Sequence, residues 1–459
     1  MIESTELNWT AIADETIRLL QGLIRLDTSN PPGNEMLAAR HIAGILRDNG
    51  IEPVVIETAP NRGNVIARLK GDGAAKPLLL YAHTDVVPVE PAHWTVDPFG
   101  GLLRDGYVYG RGALDMKGIL AMQLAVFLTL ARQMRAGNLS LHRDVILAAT
   151  ADEESDSNQG IGILVEQHPD LLRAEYALSE FGGYSLHLAG KRFYPIQTAE
   201  KGNVWMRLRA TGQPGHASVP HDDNAVVHLA RAVDRIARLK LPMRMTNTAR
   251  AFVAGLADGL GGAQGVGLRA LLSAGGQMGS ALIDHAVRDT GMAAELRAIT
   301  HNTVTPTGLR AGLKTNVIPT IAEATLDCRT LPGVTQADLI DELRSALGDD
   351  AARLSFEVDS AAPGLEFEID TPLFRLIGDT LKRHDPAGAP VPFMLTGATD
   401  AKHVSRLGAI CYGFSPMKFS PGERFSQLVH GHDERVAIDS LAWGVRVLHD
   451  VVSEFCRMQ

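Results

Sequence analysis

Cysteine is nearly absent from this chain: Cys328, Cys411 and Cys456 are the only 3 in 459 residues, with no CxxC pair among them. That excludes a disulfide framework and a thiolate zinc knuckle. Positive charge is also short, with 44 Lys and Arg against 53 Asp and Glu and a net charge of −9. No Lys/Arg-rich run offsets the balance, so a nucleic-acid partner is not expected. No uninterrupted apolar run approaches the roughly 18 residues of a membrane span, and a membrane partner is not expected either. The opening "MIESTELNWTAIADETIRLL" lacks a basic segment followed by an apolar one. It does not read as a signal peptide, and a cytoplasmic location is the expectation. Phosphate-loop chemistry is excluded as well, because the glycines of "GDGAAKP" lack the GxxxxGK[ST] spacing and "GLGGAQG" follows no strand.

What is present is ordinary globular composition, 45% hydrophobic and 21% charged, in a chain long enough for two or three domains. Helical spacing in "TAIADETIRLLQGLIRLDT" breaks at "SNPPGNE" and resumes in "EMLAARHIAGILRDNG", which stops at Gly50. "NVIARLKG", "KPLLLYAHTD", "DVILAATADEES", "EYALSEFGG" and "GAICYGFSP" are short runs bounded by turn residues. Several are apolar on both faces, as in strands sandwiched between helices. The long helix "DMKGILAMQLAVFLTLARQM" lies between two of them, so strand and helix alternate. That predicts an α/β fold, a mixed sheet layered with helices. After about Pro195, "NVWMRLRATG", "NVIPTIAEATLDCRTL" and "RLSFEVDS" alternate with period two, between the helical "NAVVHLARAVDRIARL" and "TQADLIDELRSAL". This predicts a smaller α+β domain inserted at 196–365, dividing the larger one into 1–195 and 366–459. Within the insertion, the Ala-, Gly- and Leu-rich stretch at about 249–300 is expected to be helical.

Chemistry-bearing residues collect where apolar strands run out. The stretch "LLLYAHTDVVP" ends on His83, with Asp85 two residues on and on the same face of an extended chain. Asp85 is placed to accept a hydrogen bond from the second ring nitrogen of His83, which would fix its tautomer. "DVILAATADEES" ends on Asp152, Glu153 and Glu154, and "EYALSEFGG" on Glu180. Acids crowded at the mouth of a buried sheet repel one another unless a cation is present. Asp115 precedes a helix in "GYVYGRGALDMKG", where its bland role is an N-cap. "LVHGHDERVAIDSL" offers His430 and His432, with Asp433 as a possible cap. Histidines and carboxylates without thiolates suit Zn²⁺, with Mn²⁺ or Co²⁺ as alternatives, in a two-metal hydrolase.

The motifs "HTDVVP", "GRGALDMKG", "ADEES", "SEFGG", "GHASVP", "TGATDAKH" and "HGHDE", in this order, resemble the dinuclear zinc peptidases and deacylases. That family includes aminoacylase, carboxypeptidase G, carboxypeptidase S and succinyl-diaminopimelate desuccinylase. The resemblance covers nearly the whole chain and implies a zinc-exopeptidase-like sheet interrupted by a lid that makes a homodimer. It implies two Zn²⁺ per subunit. One takes His83, Asp115 and Glu180, and the other takes Asp115, Glu154 and His430, which stands four residues before a glutamate. Glu153 would be the general base, Asp85 would orient His83, and the bond after Asp115 would be cis. The lid motif carries His216, which in relatives reaches the partner's site and stabilises the oxyanion. Asn316 of "NVIP" and Arg329 of "DCR" resemble the groups that hold the oxyanion and the substrate carboxylate. The motif that relatives usually write with two glycines before "TD" is "GATD" here, and Gly397 and Thr399 are expected to line the pocket. The 249–299 insertion and "TPTGLRAGLKTNVIP" resemble the carboxypeptidase S branch.

The function these residues imply is hydrolysis of an amide or peptide bond beside a free carboxylate. The substrate would be a small peptide, cleaved as by a carboxypeptidase or dipeptidase, or an N-acyl amino acid. N-succinyl and carbamoyl amides are the alternatives within the chemistry, and an inactive binder of the same fold is the alternative outside it.

Overall fold

The computed structural model describes residues 7–155, 157–274, 276–286 and 290–458. Residues 1–6, on which the leader reading partly rests, and 275 and 287–289 of the helical stretch lie outside the described residues. The chain divides into two compact units, one of residues 1–198, 367–393 and 399–459, the other of 199–366 and 394–398.

The first unit is built on a mixed sheet. Its strands lie in the order Val54–Ala59, Arg62–Leu69, Val145–Thr150, Leu78–His83, Tyr176–Ser179, Ile410–Gly413 and Lys191–Glu200. The four from Val145–Thr150 to Ile410–Gly413 pair in parallel, and the flanking pairs are antiparallel. Every residue of Leu78–His83 and of Val145–Thr150 is buried, which matches their unbroken apolar sequence. Helix Lys117–Arg135 is buried along its first four turns, from Lys117 to Ala131, and packs on these strands. Helices Trp9–Ile24 and Ile438–Arg457 pack against it in turn. Leu80, Leu120, Phe127, Leu147 and Val451 belong to one continuous core. Because the central strands are parallel, His83, Thr150, Ser179 and Gly413 all finish at one edge of the sheet. Functional groups gather at such an edge.

The second unit is an antiparallel sheet in the order Thr303–Ala311, Ile321–Thr330, Gly202–Thr211 and Leu354–Ala362. Val204, Met206 and Leu208 alternate with more exposed residues and pack on Leu229, Ile236, Leu339 and Leu343 of helices Ala225–Arg238 and Gln336–Leu347. Gln336–Leu347 begins on a capping box between Thr335 and Asp338. The described part of the 249–299 stretch forms the helices Asn247–Leu260, Gly262–Ser273, Gly276–Ala286 and Thr290–Thr300. Among the described residues, no helix is long and apolar enough to cross a membrane.

Candidate active site

The parallel edge of the first unit brings five predicted ligands together. His83 Nδ1 lies 3.0 Å from the main-chain carbonyl of Asp85. A carbonyl only accepts, so Nδ1 carries the proton, and in the neutral ring the Nε2 lone pair is left for a ligand. That nitrogen stands 3.1 Å from Asp115 Oδ1, 3.4 Å from Glu180 Oε2 and 4.0 Å from Glu153 Oε2. On the other side, His430 Nε2 lies 3.2 Å from Asp115 Oδ2 and 3.3 Å from Glu154 Oε1. Asp115 therefore gives one carboxylate oxygen to each histidine.

Asp115 does not cap the helix that follows it, because Met116 is the N-cap and makes no side-chain cap bond. The Asp115–Met116 peptide bond is cis. Asp85 also departs from the expected geometry. Its main-chain oxygen, not its carboxylate, bonds the ring of His83, and Oδ1 stays 3.6 Å away. The carboxylate is drawn elsewhere, accepting the main-chain N–H of Glu153 and of Glu154 at 3.1 Å each and Asn30 Nδ2 at 2.9 Å. Asp85 thus positions both acids of the pair as well as the histidine.

Asp152, the first of the three clustered acids, turns away from them. It adopts φ 71°, a left-handed conformation uncommon for any residue but glycine. Arg62 at 2.6 Å, Asn30 at 3.1 Å and the N–H of Gln159 at 2.9 Å hold it there. Its charge is therefore met by a guanidinium, and Glu153 and Glu154 are left to face the histidines.

The remaining acids are buried together, and the electrostatic cost is visible. Burial, reinforced by Glu180, pushes the Glu153 carboxyl well above its ordinary value. Burial pushes Glu180 up to about 8, against the pull of His83. Glu154 is raised for the same reason, and Asp400 is pushed up to about 6. Among the described residues, Asp400 Oδ1 is buried with no hydrogen-bond partner. In the opposite sense, hydrogen bonds to Asp115 and Glu154 lift His430 to about 10. For Asp115, burial works upward, but the bonds from His430 and His83 outweigh it and hold the carboxyl low. Such a cluster needs positive charge to stay ionised at neutral pH.

Two metal ions fit this donor set. Ligands of a tetrahedral zinc, each about 2.0–2.1 Å from the ion, stand about 3.3 Å apart. The histidine–carboxylate separations here run from 3.1 to 3.4 Å, Glu153 apart. His83, Asp115 and Glu154, and likewise His83, Glu153 and Glu180, bring their donor atoms within 4.8 Å of one another.

Two residues that fix this cluster, Arg111 of "GRGALDMKG" and Glu434 of "HGHDE", fall inside the motifs without a role of their own being legible there. Glu434 accepts the N–H groups of Leu114 at 2.7 Å and Asp115 at 3.2 Å, and pairs with Arg111 at 2.7 Å. Arg111 also donates to the carbonyl of His430 at 3.3 Å. For Glu434 the signal was its spacing four residues after His430. Asp400 is the aspartate of "TGATDAKH", and Asn30 carried no signal.

Of the other predicted residues, Thr399 belongs to the first unit, and Gly397, His216, Asn316 and Arg329 belong to the second. Thr399 is buried, its hydroxyl accepting the N–H of Ala401 at 3.1 Å. With Glu180 and Ser179 it lines a crevice of about 10 Å³, room for at most one water. His216 and Asn316 are brought together by the short pairing of Gly215–His216 with Val317–Ile318 and by a 3.1 Å bond from the N–H of Ala217 to the carbonyl of Asn316. The N–H of Ser218 donates to His216 Nδ1 at 3.2 Å, so a neutral ring carries its proton on Nε2 and can donate from there. Arg329 forks onto both carboxylate oxygens of Asp327, at 2.7 and 3.0 Å.

The chain is similar to known proteins over most of its length. Residues 79–454 match the family described as peptidase family M20/M25/M40. The mouse (Mus musculus) N-fatty-acyl-amino acid synthase/hydrolase PM20D1 is 28% identical over 402 residues, 83% of this chain and 74% of that protein. Pig (Sus scrofa) aminoacylase-1 is 33% identical over 227 residues, 48% of this chain and 53% of that one. Among solved structures, the M20 family metallo-carboxypeptidase Sso-CP2 from Sulfolobus solfataricus superposes with a TM-score of 0.72 at 17% identity, covering 97% of this chain and 100% of that one.

Proposed function

The chain belongs to peptidase family M20/M25/M40, and we propose that it cleaves the amide beside a free carboxylate in N-acyl amino acids or small peptides. It is a metal-dependent hydrolase of peptide or amide bonds. Both substrate classes present the same core, an amide nitrogen borne by an amino acid whose carboxylate is free. The relatives named above include a synthase/hydrolase of N-fatty-acyl amino acids, an aminoacylase and a carboxypeptidase, which supports that shared core.

The observation that carries the reading is the Asp115 carboxylate divided between His83 and His430, with Glu153 at 4.0 Å from His83. We assign His83, Asp115 and Glu180 to one ion and Asp115, Glu154 and His430 to the other, with Zn²⁺ as the ion. Such a pair would lower the pKa of a water toward neutrality and polarise the scissile carbonyl. Glu153 takes the proton from that water and later delivers it to the leaving amine. Asp85 fixes the tautomer of His83 through its main-chain oxygen and holds the backbone of Glu153 and Glu154 through its carboxylate.

His216 and Asn316 are assigned to the oxyanion and Arg329 to the substrate carboxylate. The Nε2 proton of His216 supports the first assignment, since a preorganised donor is what a developing oxyanion requires. For the second, the planar guanidinium matches a carboxylate, although in this structure Asp327 already occupies its fork. Pairing of two copies through the second unit completes the reading. It is supported by the exposed apolar side chains of Val226, Val227, Val317 and Ile321 on that unit.

The test is amine release, followed by mass spectrometry, from a panel of dipeptides and N-acyl amino acids with zinc supplied and a chelator-treated control. Chelator-sensitive cleavage of either class is the expected result, and it chooses between peptidase and deacylase. Cleavage confined to N-succinyl or N-carbamoyl amides, or no cleavage by metal-loaded protein, overturns the reading.

A further inference from the structure

His432 lies two residues beyond His430 but does not join the buried cluster. It faces solvent, and its ring centroid lies 5.0 Å from that of His93, with the planes inclined at 56°. His93 Nδ1 in turn lies 2.7 Å from Glu90 Oε2. One donor atom from each of Glu90, His93 and His432 falls within 4.8 Å of the other two, and all three residues are exposed. We propose that these residues form a third metal site, open to solvent, for a borderline divalent transition-metal ion such as Zn²⁺.

The bland alternative is a surface ion pair between Glu90 and His93, three residues apart on the turn Pro91–His93, with His432 nearby by chance. Exposed pairs of that kind are loosely held and contribute little. Here the two segments are fixed to each other by bonds that involve none of the three donors. Asp433 accepts the N–H of Thr95 at 2.8 Å on one carboxylate oxygen and the Thr95 hydroxyl at 2.8 Å on the other. Asp433 is therefore a clasp between segments and not a helix cap, and the helix that follows begins at Ile438. Arg111 anchors both segments from below. Its guanidinium lies 5.4 Å from the ring centre of Trp94 and donates to the carbonyl of His430 at 3.3 Å. Two imidazoles and a carboxylate are thus delivered by backbones already in register, and solvent completes a tetrahedron. Imidazole-rich ligation favours Zn²⁺, Ni²⁺ and Cu²⁺ over the hard ions Mg²⁺ and Ca²⁺, which prefer all-oxygen surroundings. Ligation of His432 would also restrain the segment that carries His430.

The site is read by titrating zinc into the full chain already holding its tight complement, with equilibrium dialysis and metal analysis. A further equivalent is expected to bind at micromolar free zinc, to survive millimolar Mg²⁺, and to weaken by at least about tenfold in Glu90→Gln and in His93→Ala. Hydrogen exchange at residues 431–434 should slow as this equivalent binds to wild type and not in His93→Ala. The difference between wild type and His93→Ala isolates this site whatever the buried cluster holds, so its failure is separable from failure of the two-metal reading. No further equivalent in wild type, or one retained undiminished in His93→Ala, overturns the proposal.

Discussion

Glu434 Oε1 accepts the main-chain N–H of Asp115 at 3.2 Å, across 319 positions of sequence. Through its other oxygen it pairs with Arg111, which donates to the carbonyl of His430. One buried ion pair therefore ties the backbone of Asp115 to the backbone of His430. Glu434→Gln removes the charge opposite a buried guanidinium and presents an amide where two N–H groups need an acceptor. Breaking such a pair costs about 3–5 kcal/mol, and loosening what orients metal ligands costs roughly 10–100-fold in affinity. Competition against a chromophoric zinc chelator should show that loss in the folded fraction. Unchanged affinity would mean that Asp115 is held by other contacts.

Glu153 is assigned proton transfer and not ligation, so the two properties should separate. Glu153→Gln keeps the shape and the N–H bond to Asp85 but cannot accept the proton. Turnover should fall at least roughly 10²–10⁴-fold while the zinc content stays that of wild type. A near-normal rate would remove Glu153 from the mechanism.

Helix Lys117–Arg135 supports the site by packing. Phe127 is fully buried in the core it shares with Leu80 and Leu147. Phe127→Ala should destabilise the protein by about 3–5 kcal/mol through lost contacts and a cavity. Urea unfolding measures this, and the surviving folded protein should keep wild-type turnover. A loss below about 1 kcal/mol would show that the core collapses around the gap.

Asp450 supplies a pH dependence remote from the metal ligands. Burial works to raise its carboxyl, but hydrogen bonds with His384 and His449 outweigh it and hold the value well below the usual carboxylate range. A folded pKa depressed in this way stabilises the protein above the unfolded carboxylate's ordinary value of about 3.9. The contribution is lost as pH falls toward the folded value. The gap in urea midpoint between wild type and Asp450→Asn should therefore narrow from about pH 6 to about pH 3. A gap that is constant or widens over that range contradicts the linkage.

The architecture was legible where burial dictates the sequence. Leu78–His83, Val145–Thr150 and Tyr176–Ser179 are apolar on both faces because both faces are covered, and the polar residues that follow mark the edge of the sheet. Strands with mixed texture were not picked out. Lys191–Glu200 runs through Pro195, and Thr303–Ala311 contains Pro306 and Gly308, residues that usually interrupt strands. In the candidate site, the side chains that follow strand ends could be listed from motifs. What holds them could not, because Asn30, Arg62 and Glu434 act through hydrogen bonds spanning 55, 90 and 320 residues. The reach of Asp85 was half legible. Spacing put it on the face of His83, but only the folded backbone puts two N–H groups beside its carboxylate, leaving its carbonyl for the ring.

The central claim is that Asp115 joins two ions, one held with His83 and Glu180 and the other with His430 and Glu154. Anomalous scattering at the zinc edge, from crystals of protein loaded with two equivalents, tests it most directly. The account predicts two peaks flanking the Asp115 carboxylate, each about 2.0–2.2 Å from its histidine nitrogen and carboxylate oxygens. A single peak, or two peaks that do not share Asp115, would contradict it.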